Sequence, residues 1–502
     1  MKFTKIIIYI LLLCLAFGIF LYQDSINVLI PYDDAYSAFM IRRSYLDILR
    51  ITASDVHPPL YYWLLKTYSL IFDSSMFALR VFSALGMMAI LLLGCFPIRR
   101  HFGDRVAIIF IILLIIFPVT QYLVTDIRMY SWCMFFVLAC ALFAYDVYLK
   151  ERSVDWLKFF AMSVCAAYTH NYGLLGVFWI YILLLIFLFR AKKKWLHLII
   201  LGVVFSVIYS PWLYQLTFQI EDVVSHYWIV PLTLNDIFVH IYYFYSPKIV
   251  EAPFLYFTKI QMMVGLIFLM LVQCILTAKV FVNGFKQKNK QVYLSLIAFV
   301  AFLLPIATAF IISIIYLPIL VPRYMTCSFG LYVLSIAIIL ARAMDLPRFR
   351  QLAIAFLILL TLFGAMRFYS CKRDYKVVEN AYADIRRFIA SDGKDEHIFV
   401  VNFYSHFMLS RVELIAPGNR YCVLVPEGIN PRFEPFNFEK MGYGDPAAPE
   451  FILLNQDRPE VQEVFYNFYD ALQKDFMTVD SLRATDIFLY RMKARKLIEQ
   501  KQ

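Results

Sequence analysis

Seven residues of this chain have side chains that could do group-transfer chemistry: the carboxylates Asp33, Asp34 and Asp126, the guanidinium groups of Arg128 and Arg323, and the imidazoles of His57 and His170. A carboxylate within hydrogen-bond reach can take the proton of an alcohol nucleophile. Guanidinium groups can neutralise an anionic leaving group through charge-assisted hydrogen bonds. Asp33, Asp34 and His57 share the stretch 31–63, PYDDAYSAFMIRRSYLDILRITASDVHPPLYYW, which holds four carboxylates, three arginines and one histidine between apolar runs. Asp126 and Arg128 are two residues apart in another short turn, DIRMY, and Arg323 stands in PRY. An isolated acidic pair is ordinarily a solvated surface feature, and a lone arginine at a membrane edge ordinarily reaches for lipid phosphate. What gives these residues weight is their recurrence in alternate turns.

The elements that must position them are membrane helices. The chain has 502 residues, of which 62% are apolar and 17% charged, with mean hydropathy +0.69. Soluble domains carry about 25% charged residues. A formal charge of +11 could suggest a nucleic-acid partner, but the basic residues come in short clusters between apolar runs, where they set topology; no nucleic acid is implied. Seven of the nine cysteines (14, 95, 133, 140, 165, 274 and 327) lie in apolar stretches, where a thiol behaves as a small hydrophobe. Cys371 and Cys422 fall in the polar carboxy-terminal part; they could pair in an oxidising compartment, but read as two unpaired or unrelated cysteines.

Lys2 and Lys5 precede the apolar run 6–22, which lacks a small-residue cleavage pattern and reads as a retained signal anchor. The run 59–72 is short and broken by Lys66. Were it to cross, the cluster Arg99, Arg100 and Arg105 would be carried outside, against the positive-inside bias. It therefore reads as an interfacial helix with Tyr61, Tyr62 and Trp63 at headgroup depth. Spans are then predicted at 76–97, 105–123, 129–149, 155–171, 173–190, 195–213, 255–279, 292–316, 324–342 and 351–368, about eleven with the anchor. This arrangement puts Lys150, Lys192 to Lys194, Lys286 to Lys290 and Arg342 to Arg350 inside. The turns with Asp126, Arg128, His170 and Arg323, and the loop 214–253, lie outside. Ionisable groups kept at the membrane are functional candidates by default.

From residue 369 onward the composition is that of a soluble domain. VENAYADIRRFIAS and PEVQEVFYNFYDALQ have helical spacing, and HIFVVN, YCVLV, FILLN and DIFLY read as short buried strands. The expectation is a transmembrane catalytic domain over 1–369, with an external loop 23–75 carrying the acidic pair, and a small extracytoplasmic α/β domain over 370–502. The latter has no Gly-rich phosphate loop and no HExxH, so a supporting or acceptor-binding role is expected of it.

In order along the chain, DDAYS (33–37), DVHPPLYYWLL (55–65), ALRVFSAL (78–85), DIRMYSW (126–132), YTHNYGLL (168–175), PWL (211–213) and PRY (322–324) resemble the signatures of bacterial multi-spanning GT-C glycosyltransferases. The group is the family 39-like set related to protein mannosyltransferases and the lipid A aminoarabinose transferase. Two departures shorten a carboxylate by one methylene: Asp33-Asp34 stands where the family usually has Asp-Glu, and Asp126 where it usually has Glu. The resemblance implies a polytopic α-helical GT-C fold in a bacterial inner (plasma) membrane. It also implies inverting transfer of a sugar from a polyprenyl-phosphate donor to a hydroxyl of a lipid, glycan or protein acceptor at the external face. By motif position Asp33 would be the base, with Asp34 and Asp126 orienting it or the acceptor. Arg128, Arg323 and His57 would meet the donor phosphate, and Tyr61, Tyr62, Tyr130 and His170 would line the substrate cavity. Asp33, Asp34, Asp126 and His57 could also make an oxygen-rich site for a divalent cation, with no geometry fixed by the sequence.

Other classes fit less well. A paired-carboxylate glycosidase would need an acid opposite a nucleophile and has no use for so many spans. A transporter or flippase of lipid-linked sugars would show inverted repeats and charges at the bilayer midplane, whereas no repeat is visible and the charges gather at one face. A non-catalytic assembly subunit would have no use for the carboxylate set.

Overall fold

In the computed structural model the described residues are 3–225, 229, 231–245, 259–402, 408–424, 441–443, 448–456 and 459–496. They fall into two compact units, Met1–Ser25 with Asp55–Cys371, and Ile26–Ser54 with Lys372–Gln502. The helix Pro347–Ala390 supplies residues to both.

The first unit is a helical bundle. Among the described residues nine helices are long and apolar enough to cross a membrane: Thr4–Ile26, Met76–Phe102, Tyr130–Lys150, Asn171–Arg190, Trp195–Ile220, Ile260–Lys286, Lys290–Ile315, Pro322–Ala343 and Pro347–Ala390. Two further spans expected from the sequence take other forms. The run 105–123 is a broken pair, Asp104–Ile116 and Pro118–Thr125, bent by 69°. The break follows from Pro118, whose ring excludes the helical conformation at the preceding residue; Phe117 is extended, with φ −62 and ψ 129. The run 155–171 is the helix Ser153–Thr169 of 17 residues, roughly 25 Å long at the usual rise and just under the hydrocarbon thickness. Leu60–Ile71, with 12 residues, is too short to cross. The expected start of the span 255–279 and the end of the loop 214–253 lie outside the described residues.

Two glycines let the helices approach. A Cβ on Gly173 would stand 2.2 Å from the carbonyl oxygen of Ala166, and one on Gly86 would stand 2.7 Å from Ser131 Oγ. At one end of the bundle the turns are basic and cross-linked. Asp104 accepts from Lys5 at 2.5 Å and Arg99 at 2.9 Å. Asp146 meets Arg100, His101 and Lys150, and Lys193 pairs with Glu151 at 3.5 Å.

The second unit is built on one sheet. Its strands are β1 (Ile398–Asn402), β2 (Arg420–Leu424), β3 (Met441–Tyr443), β4 (Glu450–Gln456), β5 (Phe476–Ala484) and β6 (Ile487–Ala494), in the order β3-β2-β1-β4-β6-β5. The first four are parallel neighbours, and β6 and β5 are antiparallel. Alternate residues of a strand face opposite sides. Val401, Ile452, Leu454 and Leu489 pack with Ile385, Phe388, Leu409 and Val412 on one face. Val400, Phe451, Leu453 and Met492 meet Phe468, Tyr469 and Leu472 of the helix Pro459–Leu472 on the other.

Residues 26–54, grouped with the membrane segments on reading the sequence, cluster by contact with this second unit. They form the helices Tyr32–Met40 and Tyr45–Ala53, and Phe39 enters the core beside Phe388 and Met408. The carbonyl of Ile30 accepts from Arg411 Nε at 2.8 Å, while the same guanidinium forks onto Asp486 at 2.7 and 3.2 Å. The amide of Ile30 donates to the Tyr382 hydroxyl at 3.2 Å.

Candidate active site

The end of the bundle opposite the basic cross-links is built from four turns. The turn 126–129 sits between Pro118–Thr125 and Tyr130–Lys150. It is held from helix Met76–Leu93, where Ser83 Oγ donates to the Asp126 carbonyl at 2.7 Å and the Phe82 carbonyl accepts from Trp132 Nε1 at 3.0 Å. Asp126 and Arg128 are both buried, Arg128 being only 4% exposed. Arg128 Nη1 donates to the Tyr62 hydroxyl at 2.9 Å, which fixes the guanidinium against the short helix Leu60–Ile71. Tyr61 and Tyr62 stand edge to face with ring centres 5.4 Å apart, and the charges of Asp126 and Arg128 both act on Tyr61.

His170 separates Ser153–Thr169 from Asn171–Arg190 and caps the second of these, its Nδ1 accepting from the Tyr172 amide at 3.0 Å. Asn171 Nδ2 donates to the Val56 carbonyl at 2.9 Å, which brings the 55–59 turn alongside. The His57 and His170 rings are therefore 5.0 Å apart. Tyr324 packs on both, at 6.2 Å and 4.9 Å, and on Tyr130 at 6.3 Å; Arg323 lies against the Tyr324 ring at 5.7 Å. His57, Tyr61, Tyr62, Asp126, Arg128, Tyr130, His170 and Arg323 thus gather in one unit.

The electrostatics follow from burial. His57 is held well below the usual imidazole range by loss of water, then by the charges of Arg128, His170 and Arg323. His170 is pushed down to about 3 by burial, with Arg128 and Arg323 adding to it. Both rings are neutral at physiological pH, so the standing positive charge is that of the arginines. An Nδ1 that accepts from a backbone amide leaves His170 with its proton on Nε2, and that nitrogen is buried with no hydrogen-bond partner among the described residues. His57 Nδ1 is in the same position. A cluster with two guanidinium groups and two buried imidazole nitrogens can receive a phosphate oxyanion.

Asp33 and Asp34 belong to the second unit, in the first turn of Tyr32–Met40, where negative charge complements the helix dipole. Asp34 is buried and Asp33 half-buried; the Asp33 carbonyl accepts from Ser37 Oγ at 2.9 Å. Among the described residues no three His, Cys, Asp or Glu side chains stand together as a metal site. Four residues without an assigned role, Ser83, Trp132, Asn171 and Tyr324, hold the turns in place. Each lies inside a motif that reading the sequence had singled out, which was the available signal.

A bundle of membrane helices with a broken pair, a short helix Leu60–Ile71, charged turns at one end and a small carboxy-terminal sheet matches the GT-C fold. Residues 56–214 match the model of the dolichyl-phosphate-mannose-protein mannosyltransferase family. Among solved structures the chain is similar to ArnT from Cupriavidus metallidurans bound to undecaprenyl phosphate, with TM-score 0.56 and 13% identity over 96% of this chain and 97% of that one. It is similar also to the apo state of ArnT, with TM-score 0.50 and 12% identity over the same shares. The oligosaccharyltransferase of Archaeoglobus fulgidus matches at TM-score 0.47 and 13% identity, over 83% of this chain and 64% of that one. Direct comparison with curated proteins gives no match.

Proposed function

We propose that this protein is a membrane glycosyltransferase that moves a sugar from a polyprenyl-phosphate donor to an acceptor hydroxyl at the external membrane face, with inversion. The observation that carries the reading is the gathering of Arg323, His57 and His170 around Tyr324, with the charge of Arg128 acting on both imidazoles, at the end of the bundle away from the basic turns. The match of residues 56–214 to a family named for a lipid-phosphate sugar donor supports it. So does likeness to a fold solved with undecaprenyl phosphate.

In the reaction the acceptor oxygen attacks the anomeric carbon from the face opposite the phosphate, and its proton passes to a carboxylate. The bond from the anomeric carbon to the phosphate oxygen breaks with both electrons going to oxygen. The departing polyprenyl phosphate is a stable anion, so it needs compensating charge and no proton. Arg128 and Arg323 supply the charge, and the His57 and His170 nitrogens complete the oxyanion contacts. Asp33 is the base, an assignment that rests on its motif position, and Asp34 and Asp126 orient the reacting groups. Tyr61, Tyr62 and Tyr130 line the cavity. The positive-inside bias supports an external position for this end of the bundle in the plasma membrane of a bacterial cell, and the basic residues Arg342, Arg348 and Arg350 before the last span support an external position for the carboxy-terminal domain.

The test is Asp33→Asn, which removes a charge with almost no change in volume. Loss of a general base lowers the rate ~10² to 10⁴-fold, with expression and membrane insertion as in the parent protein. Near-parental turnover in that variant removes Asp33 from the mechanism.

A further inference from the structure

At the basic end of the first unit the helices part to leave an open crevice of about 390 Å³, bordered by Tyr145, Leu184, Lys288, Lys290, Ala298 and Leu334 among others. It lies between Tyr130–Lys150, Asn171–Arg190, Lys290–Ile315 and Phe329–Ala343. Its wall is almost wholly aliphatic and aromatic, and alanines stand where larger side chains would close it. The cations are confined to one end. Lys288 and Lys290 are exposed, neither is in an ion pair among the described residues, and Lys290 Nζ lies 5.8 Å from the centre of the Tyr145 ring. The level of that end in the bundle is fixed by its neighbours. Gln291 donates to the Phe102 carbonyl at 3.3 Å and accepts from Arg342 Nε at 3.1 Å, so the mouth stands among the turns that the positive-inside bias assigns to the cytoplasmic surface.

An apolar slot between membrane helices, with two ammonium groups at the end that carries the basic turns, has the shape and charge of a lipid site and not of a site for a soluble metabolite. Its polar side chains, Tyr145, Tyr148 and Tyr293 beside the two lysines, belong to the same end, and the rest of the wall, from Ala141 and Leu142 to Ala301 and Leu331, has no polar side chain to hold a sugar. An acyl chain fills it, and a phosphate at the mouth meets the two lysines. Basic pockets between membrane helices on the cytoplasmic side bind anionic headgroups, each lysine contributing on the order of 1 kcal/mol. We propose that this crevice is a site for an anionic phospholipid of the phosphatidylglycerol class, one chain lying against Leu184, Ala298 and Leu334 and the phosphate held by Lys288 and Lys290. It is separate from the donor site, which lies at the other end of the bundle, and it stands or falls independently of the proposed reaction.

The test is native mass spectrometry of the full chain released from detergent, titrated with phosphatidylglycerol and with phosphatidylcholine of identical chains. The parent protein retains phosphatidylglycerol in preference to phosphatidylcholine. The exposed pair Lys288→Gln/Lys290→Gln lowers phosphatidylglycerol affinity about five- to thirty-fold and leaves phosphatidylcholine unchanged, while Lys192→Gln/Lys194→Gln, at the same end of the bundle, changes neither. Ala298→Phe, which fills the slot, removes the preference. Glycerol phosphate without chains does not compete; competition by it would make this a phosphate site and overturn the lipid assignment. Equal retention of the two lipids by the parent protein, or undiminished phosphatidylglycerol affinity in the lysine pair variant, overturns the proposal as well.

Discussion

Replacing Arg128 probes the proposed donor site where the structure is most specific. Its guanidinium is 4% exposed, donates to Tyr62 at 2.9 Å and acts electrostatically on both histidines. A hydrogen bond to a charged group contributes about 1.5–3 kcal/mol. Arg128→Ala should therefore lower kcat/KM for the donor roughly ten- to 150-fold, with a much smaller change in the acceptor's KM. Tyr62→Phe keeps the cation and removes the hydroxyl that orients it. A neutral partner of this kind contributes about 0.5–1.5 kcal/mol, or roughly two- to tenfold in the same parameter. Because Tyr62 acts through Arg128, its removal should cost nothing further once Arg128 is alanine, the non-additivity expected of contacting residues. The assay is initial rate with purified protein in detergent, varying donor at saturating acceptor and then acceptor at saturating donor. An effect of Arg128→Ala confined to the acceptor, or a Tyr62→Phe penalty that survives in the alanine background, would refute the assignment of this arginine to the donor phosphate.

Other consequences follow from the same geometry. Gly173→Ala pushes a methyl group to 2.2 Å from a backbone oxygen, and overpacking of this kind costs about 1–3 kcal/mol or more; thermal unfolding in detergent should show a clear drop, whereas Gly18→Ala, with nothing within 4 Å, should show none. His170 has a folded pKa near 3 and an ordinary unfolded value of about 6.5. Above pH 6.5 the ring is neutral in both states and its titration leaves stability unchanged; as pH falls below that the unfolded chain takes up a proton that the folded chain does not, and stability is lost progressively. His170→Asn, which keeps a capping side chain, should flatten the fall of Tm with acid; an unchanged slope would place the burdened group elsewhere. Single cysteines at Lys193 and Lys288 should resist a membrane-impermeant thiol reagent, and those at Thr233 and Asp480 should react; the reverse pattern would turn the molecule over.

Much of the bundle could be read from hydropathy, because a spanning helix must satisfy its own backbone and clothe it in apolar residues. The break at Phe117 could not, since the apolar run passes through Pro118 without a change in composition and only the proline marks it. The α/β unit was legible where strands are buried on both faces, as in HIFVVN and FILLN. It was missed at β5, FMTVDSLRA, an edge strand whose polar residues meet solvent, and at the helix Met408–Ile415. The association of residues 26–54 with the carboxy-terminal unit had no local signal, because the place of Phe39 in that unit's core is set by tertiary packing alone. At the candidate site, titratable residues in motifs pointed to turns that the first unit brings together. Ser83, Trp132 and Asn171 went unassigned because their work is to bond a backbone carbonyl on another element, which no spacing rule reveals.

The most direct test of the central claim is to follow both halves of the donor at once. Purified protein in detergent, where transport across a membrane has no meaning, is given a polyprenyl-phosphate sugar labelled in the sugar, together with extracts of envelope lipid, glycan and protein as acceptors. Glycosyl transfer predicts that free polyprenyl phosphate appears in step with label covalently attached to an acceptor hydroxyl in the opposite anomeric configuration, and that both are lost in Asp33→Asn. Binding of the labelled donor with no phosphate released against any acceptor would contradict the account and leave a protein that carries lipid-linked sugars without transferring them.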